Sequence, residues 1–208
     1  MSPALTPAND AIRAVNVTAS EVAALMGPHP YTDPQRIFDR LAAHYHGTPY
    51  DHGTQTESMY LGVFFEKRIA QYAAHKLGLR LRACSRTIPH PHYPLAATPD
   101  YYVLRKHPLG LRMLVECKLS SIMYGWNETE LAPHYEWQAR AQLACTDRDV
   151  CIVAALVGSK FYAIPVVRDA TKERFMLETV DMFFRDMLAG IRPPAVEIPQ
   201  VRKVTVAG

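Results

Sequence analysis

Two acidic residues and a lysine lie on neighbouring predicted strands of this 208-residue chain. Glu116 and Lys118 are separated by one residue in the apolar run 111–119, so the alternation of side chains along a strand puts them on one face. Asp100 lies in the preceding apolar run, 95–101. If a hairpin joins the two runs, Asp100 and Glu116 are on strands about 4.8 Å apart. Two carboxylates that close repel each other unless a cation lies between them, so this pairing favours a bound metal ion.

A third carboxylate, Glu66, falls on a predicted helix over residues 55–77. Its neighbours on the same helical face are small or apolar, namely Gly62, Ala70, Ala73 and Leu77. Such a stripe normally faces a core, where an unpaired carboxylate is very costly. Glu66 is therefore predicted to need a metal ion or a basic partner.

Each of these features also has a purely structural interpretation. Glu116 and Lys118 could form an ordinary ion pair on a solvated strand, and Asp100 could belong to a turn after Pro99. Glu66 could reach the helix edge or pair with an arginine. The combination of the three acids with one lysine is what favours a site.

The segment between Glu66 and Asp100 contains no acidic residue and several basic ones: Lys67, Arg68, Lys76, Arg80, Arg82 and Arg86. Such a run most often forms a solvated face, but beside an acidic cluster it could bind a phosphate backbone. Oxygen ligands next to a cationic surface suit magnesium-dependent phosphodiester chemistry.

Histidine offers a competing, zinc-like ligand set in the pairs His44-x-His46 and His90-x-His92. Both pairs fall in predicted loops, and no helix carries histidines four residues apart. The four cysteines contain no C-x-x-C pair, which argues against a zinc ribbon, a redox dithiol or an iron–sulfur site. Their spacing suits a reducing compartment, so we expect a cytoplasmic protein.

The composition, 49% hydrophobic and 21% charged residues, is that of a folded protein. The net charge of +3 does not by itself indicate a nucleic-acid partner. No apolar run is long enough to cross a membrane, and the first residues lack the pattern of a secretory signal.

The order of the predicted elements, helices followed by a mostly sequential sheet and then a helix and a hairpin, indicates an α/β or α+β domain built on one central sheet. We expect a loose segment over 1–12, a single domain over 13–190 and a C-terminal tail over 191–208 that packs on a partner subunit. The predicted strands are 80–88, 96–104, 111–119, 150–157 and 160–167, and the predicted helices begin near Thr18, Pro34, Gln55, Glu128 and Asp169.

The order Glu66, Pro99–Asp100, Glu116–Cys117–Lys118 and Tyr135-x-x-Gln138 resembles the PD-(D/E)XK nucleases. Within that superfamily the chain is most similar to the lambda exonuclease and YqaJ-type viral recombinase group, the alkaline exonucleases. The resemblance covers residues 13–190 and implies a restriction-endonuclease-like fold, a central mixed β-sheet flanked by helices.

The resemblance also implies a metal site. Asp100, Glu116 and the Cys117 carbonyl would bind one or two Mg²⁺ ions, with Mn²⁺ as a substitute, and Glu66 would help to hold them. Tyr101 follows Asp100 where many relatives have glycine, which affects the turn but not the ligand.

Further roles are implied for residues around the metal. Lys118 would orient or help to deprotonate the attacking water, and Gln138 would position Lys118 or the water. Arg13, with Ser20 beside it, would contact a terminal 5′ phosphate. The resemblance leaves the role of Gln142 open.

The family implies a magnesium-dependent 5′-to-3′ exonuclease that digests one strand of linear double-stranded DNA to mononucleotides and leaves a 3′ overhang for recombination. It also implies a homotrimer that threads DNA ends beside a single-strand annealing protein. Two alternatives stay open: an endonuclease or resolvase of the same fold, and a non-catalytic DNA-end-binding subunit.

Overall fold

A computed structural model describes residues 6–27, 29–51, 53–104, 108–121, 126–127 and 129–196. Its elements, in chain order, are α1 (Pro7–Ala14), β1 (Val17–Thr18), α2 (Ala19–Met26), α3 (Pro34–Tyr45), α4 (Glu57–Leu77), β2 (Leu81–Ala83), β3 (Ile88–Pro89), β4 (Leu95–Ala97), β5 (Tyr101–Val103), β6 (Met113–Ser120), α5 (Pro133–Thr146), β7 (Val150–Val157), β8 (Lys160–Val167) and α6 (Ala170–Leu188).

The central sheet has five strands in the order β2-β5-β6-β7-β8. β6 and β7 run parallel and the other pairs are antiparallel, so the sheet is mixed. α4 covers the face of β6 that carries Val115 and Cys117. α5 covers the opposite face, where Leu114 packs against Ala139 and Leu143. The predicted α/β architecture, a mixed sheet flanked by helices, is confirmed.

A second, three-stranded sheet in the order β1-β4-β3 packs beside the first. The expectation of one sheet with continuous strands over 80–88 and 96–104 is therefore wrong. Each of these runs supplies a strand to both sheets. The second run breaks before Asp100 because Pro99 has no backbone N–H and restricts the residue before it.

The expected loose segment over 1–12 is also corrected, since α1 occupies residues 7–14. Thr6 caps this helix by accepting a hydrogen bond from the Asn9 backbone N–H. The buried Asn9 side chain donates to the Ser85 carbonyl over 2.9 Å and accepts from the Thr87 N–H over 2.9 Å. These contacts join residues far apart in sequence, which is why local composition does not reveal the helix.

The remaining predicted elements are largely confirmed. The helix predicted over 55–77 is α4, with Thr56 as its N-cap and Gly78 in the left-handed region at its C-cap. The β7–β8 hairpin turns at Gly158, as expected. The helix predicted from Glu128 begins later, at Pro133.

Residues 191–196 form no regular element, and the rest of the expected tail, 197–208, lies outside the described residues, as do residues 1–5. Among the described helices, none is both long and apolar enough to cross a membrane.

The anchoring of α1 by Asn9 is testable by substitution. Asn9→Ala leaves the backbone N–H of buried Thr87 without its acceptor, so we expect a loss of about 1–3 kcal/mol in the free energy of unfolding, measured by urea denaturation. Asp10→Asn, at the next, exposed position of the helix, should change it by less than about 0.5 kcal/mol. Equal effects of the two substitutions would contradict the anchoring role.

Candidate active site

Glu116 on β6 is the most buried acid of the cluster, with 4% of its surface exposed. Its Oε1 accepts hydrogen bonds from Lys118 Nζ over 2.8 Å and from Gln138 Nε2 over 2.7 Å. Its Oε2 accepts one from Gln142 Nε2 over 2.7 Å. A carboxylate offers about four lone-pair sites, so these three donors leave about one, on Oε2. The solvated-strand interpretation of Glu116 is therefore wrong.

Lys118 is the cation that compensates the Glu116 charge. Its side chain is 19% exposed, and its Nζ lies 5.4 Å from the centre of the Tyr135 ring on α5. Burial alone would lower the pKa of Lys118, but the charges of Glu116 and Asp100 raise it above its ordinary value. The charged ammonium acts as a hydrogen-bond donor.

Asp100 meets β6 just where β5 stops pairing with it. The β5–β6 register reaches Tyr101 opposite Val115 and goes no further. The next N–H on that side, of Cys117, donates to Asp100 Oδ2 over 2.7 Å. The N–H and C=O of one strand residue point to the same side, so the Cys117 carbonyl also faces Asp100.

The charge environment of Asp100 shows that three acids converge. Burial raises the pKa of Asp100 well above its ordinary value, and the charges of Glu116 and Glu66 raise it further. Lys118 and the Cys117 N–H act in the opposite direction. A cation between these carboxylates would relieve the repulsion.

Glu66 reaches this region from α4, which packs on β6. Its charge also contributes, after burial, to raising the pKa of Tyr101 to about 12. Of its predicted stripe, Ala70 and Ala73 are buried, whereas Leu77 is exposed. The structure thus brings Glu66 into electrostatic contact with Asp100, from the side of the sheet opposite to α5.

The donor atoms of this region suit a hard cation. Within the described part of the chain, no three His, Cys, Asp or Glu side chains form a ready-made metal cage. Mg²⁺ does not need one, since it usually takes one or two carboxylates and completes its octahedron with waters and substrate phosphates. An oxygen set from Asp100, Glu116 and the Cys117 carbonyl meets that requirement, with Glu66 in support.

The histidine alternative finds no support in the described residues. His90 Nδ1 accepts hydrogen bonds from the backbone N–H groups of His92 and Tyr93, so it stabilises a turn. Neither histidine pair belongs to a metal-holding group among these residues.

Arg13 and Ser20 lie in an N-terminal cluster formed by α1 and α2. Arg13 lines a cavity of about 860 Å³, and within the described residues its guanidinium has no hydrogen-bond or ion-pair partner. Burial lowers the pKa of Arg13, and neighbouring Arg40 lowers it further, against the opposing charge of Glu21. Ser20 is exposed, with its Oγ 3.1 Å from Thr18 Oγ1.

Arg40 holds this cluster together, although no sequence pattern predicted a role for it. It pairs with Glu21 over 2.8 Å and donates to the backbone carbonyls of Arg13 and Asn16, also over 2.8 Å. α2 packs against α5, the helix of Gln138, so the cluster adjoins the acidic site through that helix.

Gln142 is the residue whose role the sequence left open. It lies one turn after Gln138 on α5, and both amides reach the same carboxylate. The four-residue spacing was the available signal, since residues four apart share a helical face.

Comparison with solved structures identifies the fold. An alkaline exonuclease, LHK-Exo from Laribacter hongkongensis, is 22% identical, with a TM-score of 0.68 over 87% of this chain and 92% of that chain. Its complex with dAMP is also 22% identical and gives a TM-score of 0.70 over 89% and 94%. A phage-related exonuclease from Haemophilus somnus 129PT is 11% identical, with a TM-score of 0.58 over 85% and 96%.

No curated protein is significantly similar in sequence to this chain. The family comparison matches residues 10–149 to the YqaJ-like viral recombinase domain, a stretch that contains Arg13, Glu66, Asp100, Glu116 and Gln142. The chain therefore belongs to the YqaJ-like viral recombinase domain family.

Proposed function

We propose that the protein is a magnesium-dependent 5′-to-3′ exonuclease that digests one strand of linear double-stranded DNA to mononucleotides and leaves a 3′ overhang. The observation that carries the proposal is the buried Glu116–Lys118 pair beside Asp100. Family membership and the likeness to exonuclease structures support it.

In this proposal Asp100, Glu116 and the Cys117 carbonyl hold the cation, and Glu66 supports the site from α4. Bound Mg²⁺, or Mn²⁺ in its place, would polarise the phosphoryl group and lower the pKa of a bound water. Asp100 is kept in place by the Cys117 N–H, and Glu116 by its amide donors. These fixed carboxylates need little reorganisation when substrate arrives.

Lys118 would act as a charged donor. A lysine ammonium is charged at neutral pH, so Lys118, held 2.8 Å from Glu116, would orient the attacking water or help to deprotonate it, and would stabilise negative charge on the phosphate. Gln138 and Lys118 both donate to Glu116 Oε1. Gln138 would therefore keep the carboxylate in the position that the ammonium needs.

The DNA would approach over a cationic surface. The basic side chains expected from the sequence are all exposed: Lys67, Arg68, Lys76, Arg80, Arg82 and Arg86. The first two follow Glu66 directly on α4, so this surface borders the site. Exposed lysines and arginines bind phosphate backbones without regard to sequence, as an exonuclease requires.

The proposed 5′-to-3′ direction of digestion depends on Arg13. An arginine without a partner among the described residues, half-buried beside a cavity, suits a terminal phosphate, which accepts two guanidinium hydrogen bonds. Ser20 would contribute a hydroxyl nearby.

The acid cluster disfavours a purely DNA-binding role. Burying Glu116 costs several kcal/mol, and clustered carboxylates repel the phosphates that a binding subunit must attract. An endonuclease or resolvase of the same fold would use the same acids, so only the DNA substrate distinguishes it from the exonuclease.

The exposed apolar face of α4 supports a proposal about the assembly of the protein. We propose a homotrimer around DNA, acting beside a single-strand annealing protein. The first half of α4 exposes an apolar face at Met59, Tyr60 and Phe64, each between 58% and 61% exposed, which is typical of an interface.

Removal of the Lys118 ammonium group tests the catalytic role proposed for that residue. With Mg²⁺, we expect the wild-type protein to degrade end-labelled linear duplex and to leave closed circles intact. Lys118→Met should lower the rate on linear DNA by about 10²- to 10³-fold, because it removes a donor to the transition state. Lys160→Met, at the exposed start of β8, should keep the wild-type rate.

Other results would favour the alternatives. Nicking of circles by the wild-type protein would indicate an endonuclease. Tight binding of DNA ends without any cleavage by either protein would indicate a non-catalytic subunit.

The 5′-phosphate role of Arg13 is tested on two ends of the same duplex. The wild-type protein should start faster on a 5′-phosphorylated end than on a 5′-hydroxyl end. Arg13→Gln should reduce that preference by at least about 10- to 100-fold, because each charged hydrogen bond to the phosphate contributes about 1.5–3 kcal/mol. Arg185→Gln, which removes a surface pair with Asp181, is the control. An unchanged preference in Arg13→Gln would exclude this role.

A further inference from the structure

Gln142 is a completely buried amide in the second half of α5. Its Nε2 donates to Glu116 Oε2 over 2.7 Å, and its Oε1 accepts from Cys151 Sγ on β7 over 3.6 Å. A donor partner at one end and an acceptor partner at the other define which way the amide points.

The Cys151 thiol is suited to that task because it is a weak hydrogen-bond donor placed 3.6 Å from Gln142 Oε1. The Glu116 carboxylate can only accept, so it binds the amide nitrogen of Gln142, and the amide oxygen accepts from the Cys151 thiol.

The two oxygens of Glu116 differ in what holds them. Oε1 has two donors, one of which, Lys118, must also serve water and phosphate in the proposed reaction. Oε2 has Gln142 as its donor among the described residues. The orientation of Oε2, the oxygen with an unused lone pair, thus depends on Gln142.

We propose that Gln142, oriented by Cys151, is a positioning residue that fixes Glu116 Oε2 for the divalent cation. This inference rests on the proposed function, because it assumes that Glu116 binds a metal ion. It assigns Gln142 a part in metal affinity, whereas a purely structural role would affect only stability.

The test measures metal affinity and catalysis separately. Gln142→Met keeps the side-chain length and removes the donor. We expect its dissociation constant for Mn²⁺, measured by calorimetry on DNA-free protein, to rise roughly 10- to 100-fold, as for other partners of metal ligands. The Mn²⁺ concentration for half-maximal cleavage should rise in parallel, while kcat at saturating Mn²⁺ stays within about three-fold of wild type.

Two further variants separate positioning from packing. Cys151→Ala should weaken Mn²⁺ binding in the same direction by about three-fold, since a thiol is a weak donor. Thr146→Val removes the 2.6 Å hydrogen bond from Thr146 Oγ1 to the Gln142 backbone carbonyl but keeps the Gln142 side-chain amide, so it should leave Mn²⁺ affinity unchanged. Melting temperatures of all variants report any general loss of structure.

The outcomes distinguish this inference from the proposed function. If the wild-type protein binds Mn²⁺ and cuts DNA but Gln142→Met has the same Mn²⁺ affinity, the inference alone is wrong. An equal loss of affinity in Thr146→Val would also overturn it. If the wild-type protein neither binds Mn²⁺ nor cuts DNA, the proposed function fails and the inference fails with it.

Discussion

The site depends on the compensation of one buried negative charge. Placing an ionised carboxylate inside a protein costs several kcal/mol even after relaxation. Glu116 is stable there because one ammonium and two amides donate to it, the amides from α5. The two amides also fix α5 against β6, so contacts that make the charge tolerable also give the carboxylate one orientation.

A second constraint is the early end of the β5–β6 pairing. A longer β5 would satisfy the backbone of β6 beyond Val115 by ladder hydrogen bonds. The chain instead breaks at Pro99, and Asp100 takes the Cys117 N–H with its side chain. The break that moves the chain from the small sheet to the large one therefore also brings a second carboxylate beside Glu116.

The sequence predicts the parts of this arrangement that follow from local periodicity. The shared face of Glu116 and Lys118 follows from strand alternation, and the hairpin to Asp100 from two adjacent apolar runs. The burial of both faces of β6 and the helix around Asn9 depend on contacts between distant segments, which periodicity does not contain. Gln142 was visible only as a residue one turn after Gln138; its partner could not be deduced without the packing of α5 on the sheet.

Anomalous diffraction tests directly whether the acids of a helix and two strands form one cation site. Crystals soaked in Mn²⁺ should show an anomalous peak within coordination distance of Asp100, Glu116 and the Cys117 carbonyl, with Glu66 nearby. The peak should disappear in Asp100→Asn. A map without a peak in this region, or with Mn²⁺ bound only at other residues, would contradict the account.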